Sequence, residues 1–176
     1  MNSLFPLFYS IILFFFLFFI SFYVIKQIND IQRIEKTIFK LQEIIKKNNT
    51  LYEVNYKLGK LYLKKKLYKK AILLFKQALK TWDTNDKIGL GNLYNMLGFT
   101  YFTLNQYKLA IYYYSIALKF IPTSSLLLLN LGYAYEKLTY ISEAYNTYKS
   151  ILILEPENQI ASTRIVLVEK KLKYLL

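Results

Sequence analysis

The sequence repeats itself with a period of 34 residues: Leu97-Gly98, Tyr101, Ala110 and Pro122 return in register as Leu131-Gly132, Tyr135, Ala144 and Pro156. A third copy lies upstream. There Leu58-Gly59, Tyr62, Ala71, Phe75 and Ala78 keep the same internal spacing, and Tyr114 and Ala117 are the second copy's counterparts of the last two. A fixed period of this length marks an array of small units, none of which can bury its apolar face alone, so that neighbours stack around a continuous core. The copies run from Tyr52 to Asn85, Gly91 to Ser124 and Ser125 to Asn158, with Asp86 to Leu90 inserted after the first.

Each copy reads as two antiparallel helices. Gly59, Gly98 and Gly132 on the first helix, and Ala71, Ala110 and Ala144 on the second, let the pair approach closely, while Tyr62, Tyr101 and Tyr135 fill the space between turns. Pro122 and Pro156 stop the second helix, since proline cannot continue its hydrogen-bond ladder. With this period and its pattern of L-G, Y, A, F, A and P, the chain resembles the tetratricopeptide repeat family.

Departures from the pattern carry their own expectations. Asp83 stands where the first copy should have Pro, Asn55 replaces a large residue, and Ile151 replaces the second Ala of the last copy, so the first repeat is expected to be the least regular. Asp86 is a candidate N-cap that would start the next helix early. Residues 159–176, with Ile160, Ile165, Leu167, Val168 and Leu172 among Arg164, Lys170, Lys171 and Lys173, suit a helix that caps the open end of the array.

No charge occurs from Leu4 to Ile25, and at about 1.5 Å per residue this stretch reaches across a hydrocarbon layer of about 30 Å. Pro6 falls in its first turn, where the missing N–H costs little, and Tyr9 and Tyr23 suit the two interfaces. A cleaved signal peptide would need a basic start, a shorter apolar run and a small-residue cleavage site; there is no Ala before Ala71. The stretch therefore reads as an uncleaved anchor. Lys26, Arg33, Lys36 and Lys40 follow it, which by the positive-inside rule leaves the repeats on the cytosolic or equivalent side.

Between anchor and repeats, Ile31, Ile34, Ile38, Leu41 and Ile45 line one side of a helix. That stripe suits packing on the first repeat or, with little more than two heptads, a short dimer seam. Asn48, Asn49 and Thr50 break it. The fold class is all-α: a transmembrane helix over 1–25, a helical stalk over 26–50, and an α-solenoid of three helical hairpins with a C-terminal capping helix over 51–176.

Cysteine and histidine are both absent, which removes disulfides, thiolate nucleophiles, Cys or His metal sites and histidine general bases together. Glu155 and Glu157 flank Pro156 at a helix end, where solvation is the ordinary explanation, and Gly89 and Gly91 lack the context of a phosphate loop. No catalytic constellation, cofactor or metal is expected.

The resemblance implies that the first helices of successive repeats line a concave groove for protein partners, with Tyr56, Lys60, Lys64, Asn95, Phe99, Phe102, Leu129, Tyr133, Glu136 and Lys137 facing it. The family's clamp for C-terminal carboxylates needs Lys, Asn and Arg at fixed groove positions that this sequence does not supply, so binding of chaperone tails is not expected. Packing against neighbouring helices is the competing role for the aromatic members. Charge is uneven. Lys57, Lys64, Lys65, Lys66, Lys69 and Lys70 make a basic patch in the first repeat, suited to an anionic lipid surface, an acidic partner or plain solvation. RNA is a weaker fit, since nucleic-acid motifs are missing and Arg is scarce.

Taken whole, the layout of short anchor, three repeats and capping helix is similar to the photosystem I assembly proteins of the tetratricopeptide class, found in cyanobacteria and encoded in algal plastids. A composition rich in Lys, Ile, Asn, Phe and Tyr, all with AT-rich codons, agrees with an organellar, endosymbiont or parasite genome. The resemblance implies a single-span thylakoid protein with its repeats in the stroma, a scaffold that helps photosystem I subunits assemble or stay stable. The rivals are a bacterial inner-membrane scaffold for envelope or secretion machinery, and a module that uses the basic patch on lipid or RNA.

Overall fold

A computed structural model describes residues 4–48 and 51–173, and among them all regular structure is helical. The chain divides into two compact units, Met1–Lys47 and Asn48–Leu176.

The first unit is one helix, α1 (Leu4–Lys47), of 44 residues. The sequence carries no Gly or Pro between Pro6 and Gly59, so nothing interrupts the ladder where the uncharged apolar stretch gives way to the charged residues after Ile25. The apolar stretch and the stalk stripe therefore lie on a single helix, about 66 Å long at 1.5 Å per residue. It is long and apolar enough to cross a membrane, and from Phe8 to Arg33 its side chains are exposed. Lys46 and Lys47 in the last turn complement the helix dipole, and Lys46 pairs with Glu43 at 2.8 Å. Of the residues expected to break the stalk, Asn48 lies just past the helix, while Asn49 and Thr50 fall outside the described residues.

Among its described residues the second unit contains seven helices: α2 (Tyr52–Lys64), α3 (Tyr68–Thr81), α4 (Lys87–Thr103), α5 (Tyr107–Phe120), α6 (Ser125–Lys137), α7 (Ile141–Leu154) and α8 (Gln159–Lys173). Helices α2/α3, α4/α5 and α6/α7 pack as hairpins, and α8 closes on α7. Residues 174–176, the end of the expected capping helix, lie outside the described residues.

The same device turns each hairpin. Lys66, Asn105 and Thr139 take positive φ near 60°, and the N–H one residue on, from Leu67, Gln106 and Tyr140, donates to the carbonyls of Tyr62, Tyr101 and Tyr135 at 2.8, 2.9 and 3.0 Å. Lys66, Asn105 and Thr139 themselves donate to Leu63, Phe102 and Glu136, which completes a Schellman motif three times over. The repeating tyrosine thus serves twice, by its ring between helices and by its carbonyl in the turn.

Asp86 caps α4, with Oδ1 accepting from the Gly89 N–H at 2.8 Å, so the five inserted residues supply a cap and four extra helical residues. The irregularity consequently falls on the second repeat. The first, expected to be the least regular, has helices of 13 and 14 residues like the third. Asp83 replaces the helix-stopping proline by accepting from the Asn85 N–H at 2.9 Å, a side-chain turn that closes the chain just beyond α3.

Two apolar clusters result. One joins Ala71, Phe75, Leu93, Leu97, Tyr114 and Leu131 across three hairpins, and the other gathers Ile141, Ala144, Tyr148, Ile151, Ala161 and Val168 beneath α8. Ile151, the large residue in place of a small one, shares its cluster with Ala161, also fully buried, so bulk on α7 meets a small side chain from α8.

Candidate functional site

The first helices of the hairpins touch one another, α2 on α4 and α4 on α6, whereas among the described residues their second helices make at most glancing contact. A stack whose first helices stand closer than its second curves toward the first. Its inner face is built from α2, α4 and α6, and α8 lies beyond α6 on that side, since Arg164 reaches both Glu136 and Tyr133.

The expected groove residues divide by environment. Lys60, Lys64, Phe99 and Lys137 are exposed. Tyr56, Phe102, Leu129, Tyr133 and Glu136 are half-buried and serve structure as well as surface. Tyr56 packs edge-on against Trp82 at 5.4 Å between ring centroids, burial raises its hydroxyl pKa, and Lys60 Nζ sits over its ring, 5.4 Å from the centroid. Phe102 meets Tyr107 edge to face at 5.3 Å.

Asn95 differs from the expectation. It is buried, and its side-chain oxygen accepts from Asn130 Nδ2 at 3.2 Å, so it ties α4 to α6 rather than presenting an amide to a partner.

The third repeat carries the most organised polar cluster. Glu136 Oε1 accepts from the Tyr148 hydroxyl at 2.5 Å, while Arg164 Nη1 and Lys171 Nζ approach Oε2 at 3.7 and 3.9 Å. Burial first, and then the bond donated to Glu136, push the Tyr148 hydroxyl pKa up, so it stays a donor throughout the physiological range. The Arg164 guanidinium lies 4.7 Å from the centre of the Tyr133 ring. Phe102, Tyr133, Glu136, Lys137, Arg164 and Lys171 line an open cavity of about 360 Å³. Sequence reasoning placed Arg164 and Lys171 in the cap alone. The signal available was that α8 follows α7 as each first helix follows a second, so its inward residues continue the groove.

In the basic patch, Lys64, Lys65, Lys66, Lys69 and Lys70 are exposed around the α2–α3 turn, with Lys70 Nζ 5.6 Å from the centre of the Tyr62 ring. Lys57 stands two turns away and pairs with Glu53 at 3.3 Å, so it is not part of the cluster at the turn. Among the described residues no three carboxylates gather as metal ligands.

Comparison with known proteins agrees with this architecture. The model of the tetratricopeptide repeat matches residues 52–81 and 91–123. A Guillardia theta protein, ycf37, is 37% identical over 98% of this chain and 97% of its own length. The chloroplastic tetratricopeptide repeat domain-containing protein PYG7 of Arabidopsis thaliana is 30% identical over 82% of this chain, which spans 48% of that longer protein. Among solved structures, YrrB, a tetratricopeptide repeat protein with an unusual peptide-binding site, is similar with a TM-score of 0.70 and 19% identity, covering 82% of this chain and 72% of that one.

Proposed function

The chain belongs to the ycf37 family of tetratricopeptide repeat proteins, and from that premise we propose that it is a single-span plastid membrane protein whose repeats hold segments of photosystem I subunits during assembly or stabilisation. The membrane is the thylakoid and the repeats lie in the stroma. The observation that carries the reading is the pairing of two features in one chain: an exposed apolar helix long enough to span, and an inner face built from α2, α4 and α6 with Phe99 exposed on it. The chloroplastic relative supports the compartment, the positive residues after the apolar run support the orientation, and the peptide-binding site of YrrB supports use of such an array for a protein segment. The protein acts by holding rather than by catalysis, and its anchor keeps the array where membrane subunits emerge.

Affinity purification from detergent-solubilised thylakoids tests this. Photosystem I subunits should co-purify with the full-length chain and be lost on substitution of Phe99 and Phe102 by Ala. Their absence from a well-expressed bait would remove the assignment.

The exposed lysines at the α2–α3 turn favour a second reading, attachment to anionic lipid, with RNA a remoter use of the same patch. Charge reversal at Lys64, Lys65 and Lys66 separates the two readings: it should abolish function only if the patch, and not the inner face, is the working surface.

A further inference from the structure

The cluster between α6 and α8 is a better-organised anion seat than the lysine patch. It combines three cations, Lys137, Arg164 and Lys171, with one carboxylate, Glu136. That carboxylate takes its short hydrogen bond from Tyr148, and the two cations that approach it do so at 3.7 and 3.9 Å, beyond the roughly 2.7–2.9 Å of a direct charge-assisted bond. Arg164 and Lys171 therefore keep donors for a second carboxylate. Their side chains are 37% and 55% exposed, so a ligand can reach them. Arg164 is also held: its guanidinium over the Tyr133 ring presents a planar fork of donors that is ordered before a ligand arrives.

Next to the seat the surface turns apolar. Phe102 is part of its wall, and one turn earlier on α4 stands Phe99, 41% exposed. Farther along the inner face come the exposed Lys60 and Lys64 on α2, so cations outnumber the one carboxylate, Glu136, among the groove residues. Basic segments are repelled, and a lone phosphate would leave the phenylalanines uncovered.

We infer that the seat between α6 and α8 binds a carboxylate of an acidic protein segment, whose neighbouring apolar residues then lie over Phe102 and Phe99. The inference rests on the groove reading above and specifies its partner's chemistry. With neighbouring helices roughly 10 Å apart, crossing from α8 to α2 takes roughly 30 Å, which an extended strand of about nine residues covers. The seat uses α8, outside the repeats proper, so the capping helix contributes to recognition as well as closing the core.

The test is fluorescence anisotropy on the full-length protein in detergent micelles, with a labelled, C-terminally amidated peptide that has Glu-Asp after an apolar Leu-Phe-Leu stretch. Its control is the same peptide with Gln-Asn. The acidic peptide should bind about tenfold tighter, and Arg164→Gln combined with Lys137→Gln should bring the two within about twofold. Lys137→Glu, at an exposed position that leaves packing untouched, should lower affinity for the acidic peptide alone. Equal binding of the two peptides by the wild type, a preference that survives these substitutions, or no binding of either peptide would overturn the inference. So would phosphatidylglycerol vesicles that lose binding with Arg164→Gln while the peptides show no preference. If Phe99→Ala weakens both peptides equally at a ratio near one, the groove reading stands without this seat; failure of that reading itself is read from the co-purification.

Discussion

The ring of Tyr114 occupies the place a side chain on residue 98 would take: a Cβ built on Gly98 would lie 2.6 Å from both Cδ1 and Cε1 of the tyrosine. Tyr114 is only 1% exposed and shares the main core, so the ring has nowhere to go. Replacing a helical Gly by Ala ordinarily gains about 1 kcal/mol, while forcing bulk into a packed core costs about 1–3 kcal/mol, and here the second effect should win. Gly98→Ala is expected to lower thermal stability, measured by circular dichroism. Gly91 is the milder comparison: its added Cβ meets Ile121 Cδ1 and Cγ1 at 2.6 Å and Phe120 Cβ at 3.3 Å, and Ile121 is only half-buried, so Gly91→Ala should cost less than Gly98→Ala.

Thr139 is the strained member of the three hairpin turns. All three turns need a left-handed residue, and Asn105 accepts that conformation more readily than Lys66, while a β-branched side chain resists it most. Thr139→Gly should therefore stabilise by about 1 kcal/mol, and Asn105→Gly by less, as read from chemical denaturation midpoints. Equal gains at the two positions would mean that the turn is not strained by its side chain.

The repeats were legible because their signals are local and periodic. Gly59, Gly98 and Gly132 and the tyrosines three residues on record contacts within one hairpin, and such contacts leave their mark at fixed spacing. Asp86 was legible for the same reason, as a cap acts within four residues. The anion seat was not. Glu136 meets Tyr148 twelve residues away and Arg164 lies a further helix on, so no short window holds the three together. Asn95 failed in the same way, since its amide is spent on Asn130, 35 residues distant and in the next repeat. The α1 rod lay between these cases: its apolar stretch and its stripe were each visible, but their continuity follows from an absence of breakers that neither pattern alone reveals.

Asn55 is 1% exposed, and among the described residues nothing donates to its Oδ1. Its positional counterparts are Tyr94 and Leu128, both packed on the cores. A buried polar atom without a partner costs about 1–3 kcal/mol, and leucine has nearly the volume to fill the site. Asn55→Leu should raise the unfolding free energy by about 1–2 kcal/mol without changing the denaturant slope. A loss of stability would show that the amide is satisfied in the folded protein.

Glu155 joins the last two hairpin helices to the cap. The Ser125 hydroxyl donates to its Oε1 at 2.6 Å, and Asn158 Nδ2 to its Oε2 at 2.7 Å. These bonds, the serine's first, favour the charged form and hold its pKa below the ordinary 4.5. Because the folded value lies beneath the unfolded one, the stability it contributes is fully present above about pH 4.5 and is lost as the pH falls through the depressed folded value. Thermal melts of wild type and Glu155→Gln should therefore differ at neutral pH and converge as the pH falls below the depressed folded value, beneath 4.5. A gap that stays constant down to pH 3 would mean that Ser125 and Asn158 bond the protonated acid equally well, and that the junction before α8 owes nothing to charge.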